Sequence, residues 1–119
     1  MSIYEEIILN HYRSPHNFRK LDNPSKKISV LNPSCGDSIS LEILFKDDKV
    51  HEVGFSGQGC AISLASASIL TDFVKNKTKR NLSTFSKNDL LKLLGIQLSP
   101  TRLRCALLPW EALMKMLGK

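Results

Sequence analysis

The sequence is poor in cysteine, in aromatic residues and in long apolar runs, and each shortage excludes something. It has three cysteines among 119 residues, at positions 35, 60 and 105. An odd number at such wide spacing matches no disulfide framework and points to a reducing, cytoplasmic setting. No apolar run approaches the roughly 20 residues of a membrane helix, which argues against a membrane partner. The N-terminus lacks the basic, apolar and small-residue regions of a secretory signal. Acidic residues are scarce in the last third: residues 75–119 hold 10 basic and 2 acidic groups, a balance of +8, against −2 for residues 1–74. A basic half can face nucleic acid, a membrane or an acidic protein. The cluster Lys75, Lys77, Lys79 and Arg80, however, has no aromatic interleaving of the kind that stacks bases. Its simplest reading is a solvated helix end, where lysines complement the dipole.

What is present fits one globular domain over residues 1–119, with 42% hydrophobic and 24% charged residues. Ser2 caps an amphipathic helix that runs to about Tyr12 and is broken by Ser14-Pro15-His16-Asn17. His11 and His16 lie at its end and read as solvated or capping residues. Alternating segments at 27–31, 38–45 and 50–56, separated by short polar turns, predict a three-stranded antiparallel meander. A slim, Ala- and Ser-rich helix follows from Cys60 to Val74, with Ile62, Ile69, Leu70, Phe73 and Val74 largely on one face. Leu82–Phe85 reads as a linker, and Ser86 caps a short helix that Gly95 ends. Ser99-Pro100 starts another helix. Pro109 would clash with the carbonyl of Cys105 in a continuous helix, so a break between Cys105 and Pro109 is expected. Trp110, Leu113, Met114 and Leu117 look like a core face. The fold class is α+β: an N-terminal helix, the meander, and a packed C-terminal helical layer.

Each cysteine sits where a regular element starts or stops: Asn32-Pro33-Ser34-Cys35-Gly36-Asp37, Gly57-Gln58-Gly59-Cys60 and Arg102-Leu103-Arg104-Cys105. Thiols on loops and helix ends can converge. Cys35, Asp37, Cys60 and Cys105 are read as one site, and three thiolates with a carboxylate suit tetrahedral Zn²⁺ or an iron–sulfur cluster. The carboxylate would exchange more readily than a thiolate. Arg102 stands one helical turn before Cys105 and could pair with Asp37 when the carboxylate leaves the metal. On spacing alone, three thiols buried as small hydrophobes is the competing reading.

Those same segments, with Tyr4, His11-Tyr12, Ser14-Pro15 and Asn17 at the start, resemble the IscU/SufU (NifU N-terminal-like) family of iron–sulfur cluster assembly proteins. The resemblance covers nearly the whole chain. It implies metal or cluster ligands at Cys35, Asp37, Cys60 and Cys105, and a cysteine desulfurase of the SufS or IscS type as sulfur donor. Downstream iron–sulfur assembly or carrier proteins would be further partners. In SufU-type members the resting metal is Zn²⁺, and Cys35 would accept the persulfide sulfur. In IscU-type scaffolds Cys105 would accept it, and Cys35, Cys60 and Cys105 would hold Fe²⁺ or a transient [2Fe–2S] cluster. Arg104 before Cys105 and Gly59-Cys60-Ala61-Ile62-Ser63-Leu64-Ala65-Ser66 are SufU-like. The 45-residue spacing from Cys60 to Cys105 is IscU-like, because SufU-type members carry an extra helical insertion there. The scaffold's Leu-Pro-Pro-Val-Lys motif survives only as Leu98-Ser99-Pro100-Thr101-Arg102, which argues against a dedicated Hsp70 chaperone as partner. Two other classes compete: a zinc-stabilised module whose basic half binds nucleic acid, and an interaction domain with inert thiols.

Overall fold

The computed structural model describes residues 2–33 and 36–119. In chain order these form α1 (Ile3–Arg13), β1 (Lys26–Asn32), β2 (Asp37–Lys46), β3 (Lys49–Gln58), α2 (Ala61–Val74), α3 (Lys79–Ser83), α4 (Lys87–Leu94) and α5 (Pro100–Met116). The sheet is the expected antiparallel meander, in the order β1-β2-β3. Asp47 and Asp48 both take positive φ in the two-residue turn joining β2 to β3, a primed-turn geometry that short polar side chains tolerate. Ser2 caps α1 through the Glu5 N–H. Ser86 and Asp89 form a complete capping box on α4, and Gly95 closes that helix with φ of 69°.

Val30, Ile39, Leu41, Ile43, Val53 and Phe55 from the sheet meet Leu70 and Val74 of α2 and Leu108, Leu113 and Met116 of α5 in one buried cluster. Each large side chain removed from water here contributes about 1.5–3 kcal/mol. A smaller cluster on the other side of α2 joins Ile62, Ala65 and Ile69 to Ile8 of α1 and to Leu94. The single apolar face expected for α2 is therefore two faces, because this helix lies between the sheet and α1. Its small residues follow from that position: Ser63, Ala65, Ser66, Ala67 and Ser68 are all buried, and only short side chains let backbones approach on several sides.

Two further expectations are corrected. Residues 82 and 83 of the expected linker belong to α3, which Thr78 caps through the Asn81 N–H. More consequentially, α5 runs unbroken through Pro109. The proline removes the donor that would satisfy the Cys105 carbonyl. The hydroxyl of Ser63 on α2 stands 3.1 Å from that carbonyl, and the Ser66 hydroxyl donates to the next one, at Ala106, over 2.6 Å. The Ser63 hydroxyl, shared with Asp37, thus replaces the missing proline N–H in part.

Candidate metal centre

Three elements meet at one place. Asp37 opens β2, Cys60 is the N-cap of α2, and Cys105 lies on the second turn of α5. One ligand atom each from Asp37, Cys60 and Cys105 lie within 4.8 Å of one another. Zinc at its usual bond lengths separates its donors by about 3.5–4 Å, a spacing of the same order. The donor set of two sulfurs and a carboxylate thus fits a divalent metal. Asp37 and Cys105 are 4% and 3% exposed, while Cys60 is half-buried. Cys35 lies outside the described residues.

The Asp37 carboxylate is held on both oxygens. Oδ1 accepts the Cys60 N–H at 3.2 Å, and Oδ2 accepts the Ser63 hydroxyl at 2.5 Å. In a capping box the third residue of a helix supplies the acceptor for the N-cap N–H. Here Ser63 occupies that third position and an acid from another element does the accepting. Cys60 makes no side-chain cap bond, and its Sγ lies 3.7 Å from Ser63 Oγ. Gly59 leaves room for the carboxylate: a Cβ there would sit 2.8 Å from Asp37 Cγ. Gly36, with φ of 76°, donates its N–H to the Asn32 carbonyl and tightens the turn leading into Asp37.

A second donor cluster joins α1 to α2. His16 Nδ1 meets Asp72 Oδ2 at 2.5 Å, Asn17 Nδ2 donates to Asp72 Oδ1 at 2.9 Å, and His11 Nδ1 lies 2.6 Å from Ser68 Oγ. His11, His16 and Asp72 also come within 4.8 Å of one another. These bonds tie the end of α1 to α2, so the cluster acts as a latch between the two helices. Burial, then the neighbouring His16, lower the His11 pKa against an opposing pull from Asp72. Burial raises the Asp72 pKa, but hydrogen bonds from His16 and Asn17 and the charges of His16 and Lys75 outweigh it and leave the value lowered.

The model of the NifU-like N terminal domain family matches residues 3–119. The chain belongs to that family. A zinc-dependent sulfurtransferase, SufU, of Bacillus subtilis is 34% identical to this NifU-like chain, covering 99% of it and 91% of the relative. An iron–sulfur cluster assembly scaffold protein, IscU, of Streptococcus pyogenes is 33% identical over 93% of this chain and 80% of its own length. The solved structure of a proposed iron–sulfur cluster assembly scaffold protein for the SUF system of Fervidobacterium islandicum superposes with a TM-score of 0.80 at 31% identity, covering 94% of each chain. The alignment with the Bacillus relative spans 135 positions against the 119 residues here, so that relative carries residues this NifU-like chain lacks.

Of the four ligands that the sequence suggested, the described structure brings Asp37, Cys60 and Cys105 together. Arg102 is exposed on the first turn of α5, where its N–H meets the Ser99 hydroxyl at 3.4 Å. Ser63 was missed as a partner of the site, although its place three residues after an N-cap cysteine was a usable signal. Asp72 was missed as well, because its hydrogen-bond partners His16 and Asn17 lie more than 50 residues away.

Proposed function

We propose that this NifU-like protein accepts sulfur from a cysteine desulfurase during iron–sulfur cluster assembly, through a metal site made of Cys35, Asp37, Cys60 and Cys105. The convergence of Asp37, Cys60 and Cys105 donor atoms within 4.8 Å carries the reading. Similarity to a protein named a zinc-dependent sulfurtransferase supports it. Zinc bound there would hold the thiols as thiolates and shield them until the partner docks. Released Cys35 thiolate attacks the terminal sulfur of the desulfurase persulfide. A new S–S bond forms on Cys35, and the desulfurase cysteine leaves as a thiolate. Cys105 is 3% exposed and poorly placed to meet a partner's persulfide, which weighs against it as first acceptor. In this reading Arg102 is the cation that pairs with Asp37 when the carboxylate exchanges.

A second reading, a scaffold on which a [2Fe–2S] cluster is built, is favoured by the relatives named as scaffolds and by the missing residues relative to the Bacillus protein. There iron and sulfide are the cargo, and Cys35, Cys60 and Cys105 hold them. Adding the protein to a SufS-type desulfurase tests the first reading: cysteine turnover should rise, and Cys35→Ser should abolish the rise. Unchanged turnover with sulfur recovered as a protein-bound [2Fe–2S] chromophore would favour the scaffold instead.

A further inference from the structure

We propose that Ser63 is a positioning residue for the metal site, acting through Asp37. The proposal rests on the reading that Asp37 is a ligand. Ser63 is fully buried, and its hydroxyl touches three parts of the centre: Asp37 Oδ2 at 2.5 Å, the Cys105 carbonyl at 3.1 Å and Cys60 Sγ at 3.7 Å. One hydroxyl has one proton, and the short contact to the charged acceptor takes the larger share of it. With the Cys60 N–H on Oδ1, the bond from Ser63 sets the rotation of the carboxylate about its Cβ–Cγ bond. That decides which lone pairs face the two sulfurs.

The remaining contact links Ser63 to α5. Pro109 carries no N–H to offer the Cys105 carbonyl, and Ser63 approaches that carbonyl from α2. The same hydroxyl therefore relates the carboxylate of β2 to the backbone of the cysteine on α5. Partners that orient a ligating carboxylate typically change metal affinity by roughly 10–100-fold when removed.

Ser66 supplies the control. It is equally buried on the same helix and donates to the neighbouring Ala106 carbonyl at 2.6 Å, and Asp37 is not its partner in that bond. A purely structural role for Ser63 would make S63A and S66A behave alike. The experiment measures Zn²⁺ affinity by chelator competition in the full chain, for wild type, S63A, S66A, D37A and the double variant S63A/D37A. Unfolding midpoints are recorded for all five, and the Co²⁺ spectra of wild type and S63A are compared. The expected result is a loss of roughly 10-fold or more for S63A, a change within about 2-fold for S66A, and no further loss when S63A is added to D37A. The ligand-field bands of Co²⁺ should shift in S63A while the thiolate-to-cobalt charge-transfer bands persist. Equal losses in S63A and S66A, or the full S63A loss persisting in the D37A background, would overturn the proposal. Should D37A itself leave affinity unchanged, Asp37 is no ligand, and the underlying reading fails together with the role given to Ser63.

Discussion

Gly59 shows how much of the centre depends on single atoms. Its missing Cβ would stand 2.8 Å from Asp37 Cγ and 2.9 Å from Oδ1. Asp37 is buried and held on both oxygens, so it cannot simply turn away. Gly59→Ala should therefore displace the carboxylate, costing about 1–3 kcal/mol of stability as an overpacked site and lowering metal affinity. Urea unfolding together with chelator competition checks both parts, and unchanged affinity would mean that the carboxylate position does not matter. Asp37 and Cys60 were legible as boundary residues, since Asp37 opens β2 and Cys60 caps α2, whereas the boundary expected at Cys105 is not there: Cys105 lies on the second turn of a continuous α5. The bonds that hold Asp37 were not, since Cys60 and Ser63 lie 23 and 26 residues away from it and nothing local pairs them.

At the scale of elements, α5 and the latch between α1 and α2 carry the distinctive physics. The helix break expected at Pro109 follows a local rule that considers only the helix's own donors. The Ser63 hydroxyl on α2 answers the Cys105 carbonyl in part, its proton being shared with Asp37. Pro109→Ala should restore the helical bond to the Cys105 carbonyl. A gain of up to about 3 kcal/mol in helix preference is set against lost burial of similar size. Stability should stay near wild type in calorimetric melting, and a large loss would mean that packing of the proline ring outweighs the restored bond. The latch predicts an acid sensitivity. His11 has a lowered pKa in the folded chain, so folding releases its proton. Its contribution is complete above about 6.5, its unfolded value, and is lost as pH falls below that. Asp72, also lowered, contributes above 3.8 and loses its contribution only at stronger acidity. Urea unfolding at pH 7.5 and 5.5 should show wild type weakening on acidification, and His11→Gln should flatten that slope. An unchanged slope would remove His11 from the account. The helix ends of α1, α2 and α4 were readable because Ser2, Cys60 and Gly95 mark them. The latch was not, because His11 and His16 find Ser68 and Asp72 only after α1 packs on α2.

Over the whole molecule, the meander and its helical layer were legible because period-2 alternation and capping residues agree with the final packing. The two-sided burial of α2 was not, since its Ala and Ser residues carry little hydrophobic signal. The charge asymmetry also resolves at this scale. Lys77 lies over the Phe73 ring at 5.0 Å, Lys79 over Phe45 at 4.6 Å and Lys87 over Trp110 at 5.5 Å. Rings that could stack a base are thus partly covered by the chain's own cations. Fluorescence anisotropy with labelled single-stranded DNA and RNA at about 0.15 M salt, near physiological ionic strength, should show weak binding at most. Tight binding with a steep salt slope would revive the nucleic-acid class. The central claim, one metal on Cys35, Asp37, Cys60 and Cys105, is tested most directly by metal and sulfide analysis of anaerobically purified protein. Thiol reactivity should be followed before and after chelation. The account predicts one zinc per chain, no sulfide, and three thiols that react slowly until the chelator is added. No metal, with thiol reactivity indifferent to chelation, would contradict it.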